Sequence, residues 1–140
     1  MDQFGKLPSD ERRPYFEQAA ATLGLSAHII EKDFWVCWSL RRLFSLAEFR
    51  DHLTFKGGTS LSKVYRAIER FSEDVDVAIE RGFLGFGGDN EPEKGESGKE
   101  QQRRIARLKK ACQAAVADRV QPQLREVVKA ALGGDTGWSL

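Results

Sequence analysis

The chain has 140 residues and carries 22 Lys+Arg against 21 Asp+Glu, a formal charge of +1. One domain is the natural capacity of that length, and 41% hydrophobic with 31% charged residues excludes a disordered or low-complexity chain. The near-neutral balance creates no chain-wide field to draw nucleic acid or an acidic membrane, so any such binding has to come from a local patch.

Ser9 and Asp10 open a predicted helix over residues 9–22, with Tyr15, Phe16, Ala19, Ala20 and Leu23 at helical spacing and Gly24 ending it. Ser26 caps the next helix, whose apolar residues from Ile29 to Phe44 spread so widely around the axis that it is expected to pack on more than one side, as a central helix. Leu53 to Lys56 reads as a short strand stopped by Gly57 and Gly58, and Ser60 to Arg70 returns to helical spacing. From Glu73 to Glu80 the pattern alternates: Val75, Val77 and Ile79 on one face, Asp74, Asp76 and Ala78 on the other.

Residues 81–98, rich in glycine and charge and interrupted by Pro92, predict a mobile loop without an ordered element. Residues 99–131 predict helix, with Ile105, Leu108, Ala111, Cys112, Ala115, Val116 and Val120 on one face and a break at Pro122. Gly133 and Gly134 predict a turn, and Trp138 to Leu140 the start of a strand that stops mid-element. No internal repeat is visible, and the mixed order of helices and strands is that of an α/β or α+β domain.

Cys37 and Cys112 fall in different predicted helices without a C-x-x-C partner, so a disulfide scaffold is excluded. A closed zinc site would need both to converge with His28 and His52 from unrelated segments, and is set aside. The first residues lack an apolar signal core and no run reaches the ~18 apolar residues of a membrane span, so a cytoplasmic protein with reduced thiols and no membrane partner is expected.

Chemistry concentrates in Phe55-Lys56-Gly57-Gly58-Thr59-Ser60-Leu61 and in Asp74-Val75-Asp76. A glycine pair between strand and helix lets backbone approach a ligand closely, and the helix start beyond it offers free N–H groups to an anion such as a triphosphate. Thr59 and Ser60 add hydroxyl donors there, and Lys56 and Lys63 flank it with positive charge. Read alone, the glycines also suit a plain turn and the hydroxyls a helix cap. Period-2 geometry puts the Asp74 and Asp76 carboxylates on one strand face, where they can converge on one or two divalent ions. The two-ion arrangement is that of nucleotidyl transfer. An isolated D-x-D suits a solvated strand edge equally well, and it is the combination within one short stretch that favours the site.

Walker and Rossmann phosphate motifs are absent: the Lys56 to Lys63 stretch lacks the Gly-Lys-Ser/Thr ending, and Gly85-Phe86-Gly87-Gly88 follows no predicted strand. Neither Cys37 nor any serine lies in an elbow-like motif of a hydrolase.

Strand, Gly-Gly turn, helix and Asp-hydrophobic-Asp strand in that order resemble the nucleotidyltransferase superfamily related to polymerase beta. Glu31-Lys32-Asp33-Phe34-Trp35-Val36, Phe55 through Lys63, and Arg70-Phe71-Ser72-Glu73-Asp74-Val75-Asp76-Val77 together look like the AbiEii/AbiGii toxin family of type IV toxin–antitoxin and abortive-infection systems. The resemblance implies an enzyme that binds an NTP with Mg²⁺ or Mn²⁺ and transfers a nucleotide to an acceptor, RNA being one candidate, unless a cognate antitoxin counters it. Carried over by position, Gly57, Gly58, Thr59 and Ser60 would hold phosphates, Asp74 and Asp76 would be catalytic and hold the metal, and Lys63 would reach a phosphate or stay solvated.

The implied fold is an α/β (α+β) polymerase-beta-like core, a small mixed sheet flanked by helices. It would be a single domain over residues 1–140: a helical lead-in (1–50), the strand–turn–helix–strand core (51–80), the loop (81–98), and helices with a strand start (99–140). Family members run longer, with further carboxylate and lysine motifs past Leu140, so the chain is expected to be truncated. Glu80 sits ~13 Å along the strand from Asp76 and is too far to replace a missing carboxylate. Glu31-Lys32-Asp33 is assigned a structural role. The alternative from another class is a noncatalytic module that docks RNA or protein on Arg103, Arg104, Arg107, Lys109 and Lys110 of the basic helix over residues 99–120.

Overall fold

Three helices lead the chain: α1 (Asp2–Gly5), α2 (Ser9–Leu23) and α3 (Ala27–Leu43). The computed structural model describes residues 1–57 and 75–134, so the expected helix over 60–70 and the strand start at Trp138 lie outside the described residues. Gly24 closes α2 in the left-handed region (φ 67°) and donates its N–H to the Ala20 carbonyl. Ser26 Oγ accepts from the Ile29 N–H at 3.3 Å and starts α3. Both helix ends are therefore where the glycine and the serine put them.

The short helix α1 has no periodic sequence signal and is held by packing. Phe4 meets the rings of Tyr15, Phe16 and Phe34 edge-on at 5.5, 5.4 and 5.1 Å. Arg12 donates to the carbonyls of Gly5 and Leu7 and lies over the Trp35 ring at 5.1 Å. Gly5 is buried, with room for a Cβ only at 3.4 Å from Leu132. Asp2 accepts from Arg42 and from Trp38 Nε1, and the Arg42 hydrogen bond above all holds its carboxyl below the ordinary aspartate value.

Strand β1 (Leu53–Lys56) pairs antiparallel with β2 (Asp76–Ile79), in the register Leu53 to Ile79, Thr54 to Ala78, Phe55 to Val77 and Lys56 to Asp76. Side chains alternate as the sequence requires: Leu53, Phe55, Val77 and Ile79 turn to the half-buried face, and Lys56 and Asp76 to solvent. The expected strand over 73–80 is shorter among the described residues, and Val75 ahead of it is 39% exposed. The described sheet is two-stranded and antiparallel in a helix-rich chain, an α+β arrangement.

The segment 81–98, expected to carry no ordered element, instead holds two 3₁₀ turns, Gly88–Asn90 and Pro92–Lys94. Charged and amide side chains supply its order. Arg81 pairs with Glu93 at 2.7 Å and Glu91 at 3.2 Å, Gln101 donates to the carbonyls of Glu93 and Gly95, and Arg104 donates to those of Asp89 and Glu91. Local composition reads as loop because three of these donors come from residues outside the turns they tie down.

Ser97 caps α4 (Gly98–Ala115), a π-helical turn follows over Val116–Val120, and α5 runs over Gln121–Leu132 to a left-handed Gly133 (φ 86°). The helix changes before Pro122 rather than at it. Pro122 occupies the first turn of α5, where no N–H is needed, and the widened turn, with the Gln121 N–H on the Val116 carbonyl, relieves the clash its ring makes one turn upstream. The predicted apolar stripe is covered only toward its end: Ala115 and Val120 are buried, while Ile105 and Val116 are 48% and 45% exposed.

Helix α3 packs against α2 and against α5, which makes it central as its wide apolar surface requires, with Trp38 buried. A second cluster gathers Leu46, Phe49 and Val120, with Leu53 and Ile79 of the sheet and Leu124 and Val127 of α5 against it. Arg119 lies over the rings of Phe49 and Phe83, each at 5.1 Å, and together with Gln123 it donates to Glu48. No described helix is long and apolar enough to cross a membrane.

The Glu48 carboxyl is held below its ordinary value of 4.5 chiefly by the Arg119 hydrogen bond, then by Gln123. The unfolded chain therefore takes up that proton at higher pH than the folded one, so the stabilisation is complete above 4.5 and is lost as pH falls below it. Urea midpoints measured from about pH 7 to about pH 3 are expected to fall less steeply for Glu48→Gln than for the wild type. Parallel curves would show that the tie contributes nothing to folding.

Candidate functional site

At one end of the two-stranded pairing the chain leaves β1 through Gly57 and enters β2 at Asp76. Gly57 has φ +75°, a conformation that costs an L-residue about 1–2 kcal/mol and glycine almost nothing. A Cβ at this position would stand 2.1 Å from Asp76 Oδ2 and 3.0 Å from its Cγ. Glycine is thus required twice over, by the backbone turn and by the carboxylate packed against it.

Lys56 and Asp76 are direct cross-strand partners, so both side chains lie on the same face. Both are exposed, and the Asp76 carboxylate forms no hydrogen bond or ion pair with another described side chain. A carboxylate with no side-chain partner among the described residues is the donor type that Mg²⁺ and Mn²⁺ take. Among the described residues no group of three or more His, Cys, Asp and Glu side chains is placed to hold a metal.

The structure therefore brings together Lys56, Gly57 and Asp76 of the expected site. Gly58, Thr59, Ser60, Lys63 and Asp74 lie outside the described residues. Glu80 is at the far end of β2, where its Oε2 is 2.8 Å from His52 Nδ1 and its N–H donates to the His52 carbonyl. It belongs to a separate group in which His52 stacks on Phe83 with centroids 4.2 Å apart. Sequence reasoning did not find that group, since nothing in the spacing of His52, Glu80 and Phe83 joins them before the strands pair.

Gly57→Ala is expected to destabilise the fold by about 1–2 kcal/mol through the backbone, with a further loss from pushing Asp76 aside. In an Asp76→Ala background the steric part disappears and the backbone part remains. Urea denaturation of the four proteins in that cycle measures both. Additive losses would show that the glycine and the carboxylate do not touch.

The basic helix of the alternative reading is divided. Arg103 and Arg104 pair with Glu100, lowering its carboxyl through the Arg104 hydrogen bond first, and Arg104 also serves the loop carbonyls. Arg104 thereby holds α4 to its own loop, while Arg103 pairs within the helix. Arg107, Lys109 and Lys110 remain exposed.

A family model described as "Nucleotidyl transferase AbiEii toxin, Type IV TA system" matches residues 38–140, which include β1, Gly57 and β2. No curated protein and no solved structure matches the chain.

Proposed function

Because the chain belongs to the AbiEii nucleotidyl transferase toxin family of type IV toxin–antitoxin systems, we propose that it is a Mg²⁺-dependent enzyme that transfers a nucleotide from an NTP to RNA. The observation that carries the reading is the approach of Gly57 to Asp76, which couples the glycine turn to one of the two aspartates across the strand pair.

In this reading Asp76 and Asp74 would hold the ion, which when bound would neutralise charge on the leaving pyrophosphate and favour ionisation of the attacking hydroxyl. In the same reading Gly57 and Gly58 would let the backbone approach phosphate oxygens, and Thr59, Ser60 and Lys63 would donate to them. Lys56, opposite Asp76, adds a positive charge on the same face. The acceptor oxygen has only to be held in line with the phosphorus, so positioning carries much of the acceleration. The enzyme acts in the cytoplasm, and a cognate antitoxin is its protein partner.

The test is incubation of the protein with each labelled NTP, Mg²⁺ and total RNA. Label entering RNA, lost in Asp76→Ala, supports the proposal. Label entering protein instead keeps the transferase and overturns the acceptor, and no transfer to anything overturns both.

A further inference from the structure

Between the 81–95 segment and the first turns of α4 lies a cavity of about 240 Å³ lined by Leu84, Gly85, Phe86, Asn90, Glu100, Arg104 and Arg107. Its lining shares no residue with the Gly57 and Asp76 end of the strands. A water in the liquid takes about 30 Å³, so the space holds several waters or a phosphate group with part of what carries it.

The charges of its wall are unequal in their commitments. Arg42, Arg50, Arg81, Arg103, Arg104 and Arg119 each pair with a carboxylate. Within the cavity the Glu100 carboxylate is met by both Arg103 and Arg104, and Arg104 is also fixed by the carbonyls of Asp89 and Glu91. Arg107, three residues on and therefore on the same helix face as Arg104, is exposed and has no partner among the described residues. Neutralisation of Glu100 leaves the Arg107 guanidinium as the uncompensated charge of the cavity. A fixed wall with one open guanidinium matches the oxygens of a phosphate, which that group binds through two parallel N–H donors.

We propose that this cavity is a phosphate-binding site, distinct from the Gly57 and Asp76 site, with Arg107 as its charge partner. The Asn90 amide, now on the Gly85 carbonyl at 3.4 Å, is a second donor within the same lining. The phosphate comes either as a free anion or as part of a nucleic-acid strand, and the chemistry at Arg107 is the same for both.

The 140-residue chain is titrated calorimetrically with inorganic phosphate and, separately, with a single-stranded RNA oligomer, in EDTA so that no metal-dependent binding contributes. The expected result is binding of at least one probe, weakened about tenfold or more in Arg107→Gln, partly restored in Arg107→Lys, and unchanged in Asp76→Ala. Binding of phosphate itself identifies a free-anion site. Binding of the oligomer alone, with a salt slope smaller by about one unit in Arg107→Gln, identifies a strand phosphate. Equal binding by wild type and Arg107→Gln, or no binding of either probe by folded wild type, overturns the proposal. Far-UV circular dichroism checks that the exposed substitution leaves α4 intact. Loss of transferase activity with this binding retained would remove the proposed reaction and leave the site standing.

Discussion

Asp76→Ala is expected to lower Mg²⁺-dependent nucleotide transfer by about a thousandfold or more while leaving the urea midpoint close to that of the wild type. The size follows from the several kcal/mol that a metal-held charge contributes to a phosphoryl transition state, at 1.36 kcal/mol for each factor of ten. Stability is spared because the Asp76 carboxylate is exposed and makes no ion pair or hydrogen bond to a described side chain, while its backbone pairing with β1 survives the substitution. Asp76→Asn separates charge from shape: it keeps the side chain's volume against Gly57 and removes the formal charge that a divalent ion needs. Transfer is expected to fall nearly as far in Asn as in Ala. Wild-type transfer by Asp76→Asn would sink the assignment, whereas loss in Ala alone would make Asp76 a spacer for the turn. Calorimetry with each NTP in the presence of Mg²⁺ separates a binding defect from a defect in the transfer step.

The largest loss of stability is expected from Phe49→Ala. Phe49 has 0% exposure, and its cluster is where the end of α3, both strands and α5 meet. Its ring stands edge-on to Phe83 at 5.4 Å and beneath the Arg119 guanidinium. Truncation to alanine removes the buried ring and leaves a cavity among elements that relax only in part, at about 3–5 kcal/mol. Against a total of about 5–15 kcal/mol for an ordinary domain, that takes a large share of the fold's stability. Phe49→Leu fills part of the space and is expected to lose less. Urea denaturation should show a lower midpoint at unchanged slope for Phe49→Ala. A change of less than about 1 kcal/mol would mean that the junction is not what holds helices and strands together.

Much of the architecture was readable from local residue chemistry. Gly24 and Ser26 set the end of α2 and the start of α3 because a left-handed turn and a side-chain cap are decided by one residue each. Leu53 to Lys56 and the alternation through Val77 and Ile79 gave the strands and their faces, since a period of two cannot be satisfied by a helix. The break in the C-terminal helix was foreseen at Pro122 and appears earlier, as a widened turn over Val116–Val120, because the proline can be kept within the first turn of α5. α1 had no such signal, as four residues cannot show a helical period, and it exists through Phe4 and Gly5 packing on other helices.

The candidate site divides along the same line. By itself the sequence determined the family, the glycine turn after a strand, the solvent-facing side of Asp76 and the placement of Lys56 beside the turn, all properties of residues near one another in the chain. Only the tertiary structure decided that Lys56 stands opposite Asp76, that Gly57 must be glycine because the Asp76 carboxylate occupies the space of a side chain, and that Glu80 turns to His52. It also decided that Arg104 is spent on Glu100 and loop carbonyls while Arg107 has no partner among the described residues. The physical reason is range: turns, caps and alternation are set by backbone preferences over a few residues, whereas register and charge pairing are set by which distant segments share a buried face.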